Sequence, residues 1–171
     1  MIQKPGKNRT DIASHRPIRL LPILSKILEK LLLKRIFRDT NRQEWIPSHK
    51  FGFRKAHSTI QQCHRITDTI NKAFEEHKHC SAVFLNKSQA FDKVWHQRLI
   101  YKIKQTLPAK YLNILKSYLS DRYFSVSLNN KTSSLLPLSG VPQGSILGPF
   151  LYTLYTADLP QSKKNNPQHL R

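Results

Sequence analysis

The sequence predicts an α+β fold, and three observations predict it. Apolar residues recur at helical spacing from Ile23 and again from Ile60. A short apolar run, Ala82-Val83-Phe84-Leu85, stops abruptly at the polar Asn86, as a buried strand does at the rim of a sheet. Tyr123 to Asn129 alternates, with Phe124, Val126 and Leu128 on one face, and Thr132 to Leu138 follows as a second arm. At 171 residues the chain is long enough to bury the core of one ordinary domain.

In order along the chain, residues 1–19 are polar and basic, carry Pro5, Gly6 and Pro17, and are expected to form an extended loop. From Ile23 a helix is predicted with Leu24, Ile27, Leu28, Leu31 and Leu32 on one side and Lys26, Lys30, Lys34, Arg35 and Arg38 over much of the rest. Taken alone, that basic face is an ordinary solvated surface. Residues 39–58 are irregular and hold the Phe51-Gly52-Phe53-Arg54 turn. His57-Ser58-Thr59 supplies an N-cap for a helix whose apolar positions Ile60, Cys63, Ile66, Ile70, Ala73 and Phe74 keep helical spacing to Glu76.

His77-Lys78-His79 is a turn into the predicted strand, whose end presents Asn86. Leu99, Ile100 and Ile103 predict a helix ended by Pro108, and Tyr111, Ile114, Leu115 and Tyr118 predict another that stops near Ser120-Asp121. Asn129-Asn130 joins the two arms of a hairpin. Gly140 to Pro149 is a Gly/Pro-rich turn leading into an apolar segment, Phe150 to Leu159, closed by Pro160. Residues 161–171 have no periodicity and are expected to be a disordered tail.

Charge is the strongest compositional signal: 29 Lys+Arg stand against 10 Asp+Glu, a net +19. The excess is graded, with 14 basic and 4 acidic residues in 1–60, 10 and 4 in 61–120, and 5 and 2 in 121–171. Such an excess repels itself unless a polyanion neutralises it, and a nucleic-acid backbone is the usual polyanion. No apolar run reaches the roughly 20 residues that span a bilayer, so no membrane partner is expected. MIQKPGKNRT has no apolar signal core, which places the expected location inside the cell, in nucleus or cytoplasm, rather than outside it. Cys63 and Cys80 are too few for a disulfide scaffold and are expected to be buried thiols. Cys63-His64 with His77-Lys78-His79-Cys80 matches no zinc-finger spacing.

Singly, the motifs are weak. Gly140-Val141-Pro142-Gln143-Gly144-Ser145 matches neither a P-loop nor a nucleophile elbow, and Arg54 could be a surface arginine or a phosphate ligand. In order they are specific: Arg16-Pro17-Ile18 with Leu20-Leu21-Pro22; Phe51-Gly52-Phe53-Arg54 with Ser58-Thr59; Val83-Phe84-Leu85 with Phe91-Asp92 and Val94-Trp95-His96; then Gly140 to Pro149. This arrangement, from about Lys4 to Pro160, resembles the reverse transcriptase domain of non-LTR retrotransposons, particularly jockey-like elements.

The resemblance implies a partial right-hand polymerase, with fingers plus an incomplete palm and no thumb. Residues 1–80 would be a fingers-like basic region, 81–160 a partial palm, and 161–171 the tail. It implies an RNA template, a DNA primer, deoxynucleoside triphosphates and magnesium. By position, Phe91 matches the steric gate against a ribose 2′-hydroxyl. Gln143 matches the segment lining the incoming nucleotide, and Gly140, Pro142 and Gly144 belong to the same turn and would contact template. Arg54 matches the fingers motif near the triphosphate, with Arg16 as a helper.

The pattern fails at the metal ligands. Two ions about 3.5–4 Å apart assist the attack in the family's chemistry, and hard magnesium needs anionic oxygen ligands. The family's first such Asp is here Asn86, whose amide brings no negative charge. No Asp-Asp pair occurs in the sequence. Asp92 lies six residues beyond Asn86 at a structural position of the family, and Asp158 belongs to its Leu-Tyr-x-x-Asp-Leu-Pro stretch. Further departures are His15 in place of Tyr, Arg19 in place of Ser, Lys87 in place of a small apolar residue, and one residue fewer before Gly140. The expectation is a truncated, degenerate and catalytically dead domain. A non-catalytic basic nucleic-acid-binding module and an unstable pseudogene product are the alternatives.

Overall fold

A computed structural model of the chain describes residues 2–3, 5–6, 8, 10–11, 14–16, 18–40, 46–47, 50–54, 56–128 and 131–158. The expected tail, 161–171, and the Asn129-Asn130 turn lie outside the described residues. Five helices are described: α1 (Ile23–Asp39), α2 (Thr59–Glu75), α3 (His96–Thr106), α4 (Ala109–Leu119) and α5 (Leu147–Tyr155). Three two-stranded antiparallel ladders accompany them: β1 (Ile2–Gln3) with β2 (His15–Arg16), β3 (Tyr123–Phe124) with β6 (Leu136–Pro137), and β4 (Ser127–Leu128) with β5 (Lys131–Thr132). The chain is thus a mixture of helices and small sheets.

The core lies where α3, α4, α5 and the second half of α1 meet. Leu99 and Ile103 of α3, Tyr111, Leu115 and Leu119 of α4, and Leu147, Phe150, Leu151 and Leu154 of α5 are buried together with Ile36 of α1. Pro108 separates α3 from α4 as the sequence predicts, because proline holds its own φ near −65° and pushes the residue before it out of the helical region. The hairpin also forms, broken between its two ladders. There the Val126 amide donates to Ser133 Oγ at 2.9 Å and the Ser133 amide to the Val126 carbonyl at 2.9 Å, so a side chain replaces one rung.

Four expectations are corrected. Residues 1–19 are not wholly an extended loop, since Ile2 pairs with Arg16 and Gln3 with His15. In α1 the face toward the core is Glu29, Leu32, Leu33, Ile36 and Phe37, whereas Leu24, Ile27, Leu28 and Leu31 are exposed. Both stripes have helical spacing, so periodicity alone could not choose between them. The two cysteines are exposed free thiols rather than buried ones.

The fourth correction concerns the predicted strand. Residues 80–87 carry no regular structure, and Val83, Phe84 and Leu85 are 84%, 81% and 93% exposed. An apolar strand is held by hydrogen bonds to neighbours and by cover on its faces, and no described strand pairs with this one.

α2 is set by its ends. Ser58 accepts from the Gln61 amide at 3.3 Å while the Gln61 side chain accepts from the Ser58 amide at 2.9 Å, a complete capping box. At the other end His77 adopts a left-handed φ of 51°, its amide donates to the Phe74 carbonyl, and the Lys78 amide donates to the Ala73 carbonyl, a Schellman ending. Ile60, Ile66 and Phe74 of this helix are exposed. Glycine adopts a left-handed φ without the Cβ clash that histidine has there. The substitution His77→Gly is therefore expected to stabilise the end of α2 by about 0.5–1 kcal/mol, read as slower amide exchange at residues 74–78.

Candidate functional site

The turn 140–148 is fastened on three sides. Gly140 has a left-handed φ of 69°, and a Cβ there would stand 2.2 Å from the Phe91 carbonyl oxygen, so only glycine fits. The Val141 amide donates to that carbonyl at 2.9 Å, and His96 Nε2 meets the Gly140 carbonyl at 2.6 Å. On the opposite side the Arg19 amide donates to the Gln143 carbonyl at 3.0 Å. A Cβ on Gly144, φ 102°, would stand 2.9 Å from the Arg19 carbonyl oxygen. Within the turn, Ser145 Oγ donates to the buried Pro142's carbonyl at 2.9 Å and accepts from the Gly148 amide at 2.8 Å.

The third fastening is Glu29, buried on α1. Its Oε2 accepts from the Ile146 and Leu147 amides at 2.7 and 3.3 Å, and its Oε1 accepts from the Tyr118 hydroxyl at 2.9 Å. An anion at a helix start satisfies amides that have no partner within the helix and faces the positive end of its dipole. Sequence reasoning missed Glu29, because a glutamate among lysines on a helix carries no signal of burial. Burial raises the Tyr118 hydroxyl's pKa to about 12, with Glu29's negative charge also raising it and a hydrogen bond to Ser145 opposing.

Phe91 stands at the meeting point of the motifs. Its ring stacks on Tyr152 of α5, centroids 4.8 Å apart, and meets Phe53 edge-on at 5.9 Å. Phe53 reaches it from a left-handed φ of 56°, an uncommon conformation for an aromatic residue. Phe51 packs on His57 and lies under the Arg65 guanidinium. Lys50 donates to the Thr153 carbonyl at 2.9 Å and also to Thr156 Oγ1, which ties this loop to the end of α5. Burial lowers the Lys50 ammonium to about 8, with Lys102 nearby acting the same way and Asp158 opposing.

The expected site residues are thus only partly brought together. Phe91, Gly140, Pro142, Gln143 and Gly144 converge, whereas Arg54, in the 51–54 turn, donates to the Pro47 carbonyl at 3.5 Å. Arg16 lies in β2 opposite Ile2, and its side chain lies outside the described residues. Asn86 is exposed on the segment without regular structure, next to Lys87, whose ammonium lies 5.5 Å over the Tyr155 ring. Asp92 forms an ion pair with Arg19 at 3.3 Å, and Asp158 is held by Arg98 at 3.0 Å and by Lys102. The Lys102 hydrogen bond is the main cause holding the Asp158 carboxyl below its ordinary range.

The four ordered motifs, far apart in sequence, therefore meet around one turn and one phenylalanine. The family pattern described as Reverse transcriptase (RNA-dependent DNA polymerase) matches residues 2–170. The chain belongs to the reverse transcriptase family. This match extends past Pro160, where the sequence was expected to leave the pattern.

Over 161 residues the reverse transcriptase chain is 49% identical to a protein described as probable RNA-directed DNA polymerase from transposon BS of Drosophila melanogaster. It is 48% identical over 162 residues to the corresponding protein of transposon X-element, and 44% identical over 161 to the RNA-directed DNA polymerase from mobile element jockey, both of that fly. Each alignment covers 94% of this chain and 18% of the relative, so the chain spans less than a fifth of the proteins it matches. It is of the jockey-like, non-LTR type.

Removing Glu29 leaves two amides and a hydroxyl without their acceptor, at about 1–3 kcal/mol for each buried group left unpaired. Glu29→Ala is expected to lower stability by about 3 kcal/mol, and Glu29→Gln, which keeps an acceptor, by about half of that, in denaturant unfolding. Two of the shifted groups, Lys50 and Tyr118, each contribute a pH dependence. Between pH 8 and about 10 the unfolded chain holds the Lys50 proton and the folded chain does not, so stability rises with pH. Above about 10 the unfolded chain loses the Tyr118 proton while the folded chain keeps it to about 12, so stability falls. Lys50→Met is expected to flatten the rise and Tyr118→Phe the fall, in thermal melts across that range.

Proposed function

We propose that the chain is the fingers plus incomplete palm of a jockey-like reverse transcriptase, a scaffold that holds RNA and does not itself transfer nucleotides. One observation carries this reading: the turn 140–144 is locked between Arg19 and Phe91, while Asn86 is exposed on a segment without regular structure. In this reading Phe91 gates the sugar, held by Tyr152 and Phe53. Gln143 with Gly140, Pro142 and Gly144 shapes the wall facing nucleotide and template, and Arg54 with Arg16 serves the triphosphate. The basic N-terminal region, 1–80, would face the nucleic-acid backbone, and 81–160 would be the palm part.

Reverse transcriptases use divalent metal ions, and the residues present do not fit such a site. Asn86 is a neutral amide, and among the described residues no group of three or more His, Cys, Asp or Glu could hold an ion. The carboxylates of Asp92 and Asp158 are engaged, Asp92 with Arg19 and Asp158 with Arg98 and Lys102. No catalytic step is therefore assigned to these 171 residues. No helix among the described residues is long and apolar enough to cross a membrane.

A second reading, an unstable product that aggregates, draws on the exposed Leu20, Ile23, Leu24, Phe84 and Leu85. Cooperative thermal unfolding of a monodisperse preparation counts against it. Primer extension on an RNA template with magnesium or manganese tests the main reading. No template-dependent DNA is expected, and Asn86→Asp alone is expected to restore none, because the second carboxylate site is still missing. Synthesis above a heat-killed control contradicts the reading.

A further inference from the structure

A groove of about 700 Å³ runs between residues 18–21 and the hairpin, on the far side of Arg19 and Asp92 from the backbone contacts that these residues make with the turn. Its titratable lining is Arg19, Asp92, Lys93, Arg122 and Tyr123. Asp92 is already engaged by Arg19, so three cations face one carboxylate and the groove carries an excess of two positive charges. The Arg19 guanidinium lies 5.6 Å over the Phe124 ring, and its Nη1 is enclosed without a hydrogen-bond partner among the described residues. Arg122 lies 4.7 Å over the Tyr118 ring and donates to the Tyr118 carbonyl at 3.3 Å. Two of the three cations are thus fixed before any ligand arrives, which reduces the ordering cost of binding. Lys93 and Tyr123 are exposed at the rim, and Ser125 and Ser127 add hydroxyls.

We propose that this groove seats a single strand of RNA, with phosphates at Lys93 and Arg122 and a base on the Tyr123 ring. Single strands are held without sequence preference by a positive groove that tracks phosphates and by exposed aromatic faces on which bases stack, since every base has a π-face. Serine hydroxyls can both donate to and accept from a ribose 2′-hydroxyl. The inference rests on the RNA-holding part of the proposed function and assigns that binding to a groove whose phosphate- and base-contacting residues, Lys93, Arg122 and Tyr123, are not among the expected site residues. It also gives Arg19 a role: where the family has Ser, this chain places a half-buried cation that Asp92 steadies at the groove wall.

The test is fluorescence anisotropy of a labelled twelve-nucleotide oligouridine with the whole chain across a salt series. Circular dichroism checks that each variant keeps its fold. Tyr123→Ala is expected to weaken binding about five-fold or more. Lys93→Ala is expected to reduce the slope of log affinity against log salt by about 0.7, one phosphate contact on a single strand. Lys104→Ala, an exposed charge on α3 outside the groove, is expected to leave the affinity within about two-fold and the slope unchanged. In addition, 4-thiouridine in the same oligonucleotide is expected to crosslink within residues 122–127. Tight wild-type binding that neither Tyr123→Ala nor Lys93→Ala alters, or crosslinks confined to residues 23–80, overturns the groove and leaves the RNA-holding reading standing. Wild-type protein that binds no oligouridine at low salt overturns both.

Discussion

The interaction on which the rest of this structure depends is the Glu29 carboxylate. It sits buried between α1, the start of α5 and Tyr118 of α4, and accepts a hydrogen bond from each of the latter two elements. A buried carboxylate is costly unless it is fully hydrogen-bonded, and here both oxygens are engaged. Because the partners are the first amides of α5, the carboxylate fixes where that helix begins, and hence where the preceding turn ends. The turn in turn reaches Phe91 and Arg19 through backbone hydrogen bonds that only its two left-handed glycines permit. A single side chain on the first helix thereby sets the geometry shared by motifs more than a hundred residues apart.

That geometry explains how a polymerase-like arrangement persists without metal chemistry. The aromatic stack of Phe53, Phe91 and Tyr152, the turn, and the α3–α4–α5 core form one packed unit that needs no ion. The segment that would carry the first carboxylate meets this unit through Lys87, whose ammonium lies 5.5 Å over the Tyr155 ring. Its apolar residues are exposed and Asn86 with them, so nothing in the packing depends on which side chain stands at that position. A change from Asp to Asn there carries no cost in stability that would oppose it.

Much of the fold was legible in the sequence. The His57-Ser58-Thr59 N-cap, Pro108 and the alternation after Tyr123 located α2, the α3–α4 break and the hairpin, because each is a local rule satisfied by neighbours in sequence. What failed was long-range. The buried face of α1 was misassigned because two stripes on that helix have the same period. The Ala82–Leu85 run was read as a strand because an apolar run takes that form only with partners, and the sequence does not display partners. The site was legible as motifs but not as contacts. Phe91 and Gln143 could be named, whereas Glu29, Tyr152 and the pairing of Arg19 with Asp92, 73 residues away, left no local signal. Arg19 did stand out, but only as a departure from Ser.

Amide hydrogen exchange under native conditions reads the turn locked by Glu29 and the unpaired segment bearing Asn86 at once. The Val141, Ile146 and Leu147 amides are expected to exchange as slowly as those of the α3–α4–α5 core, while residues 81–87 exchange at the rate of an unstructured chain. Protection of residues 82–86 comparable to that of the core would mean that they form a paired strand presenting Asn86 at a sheet rim, and would contradict that expectation.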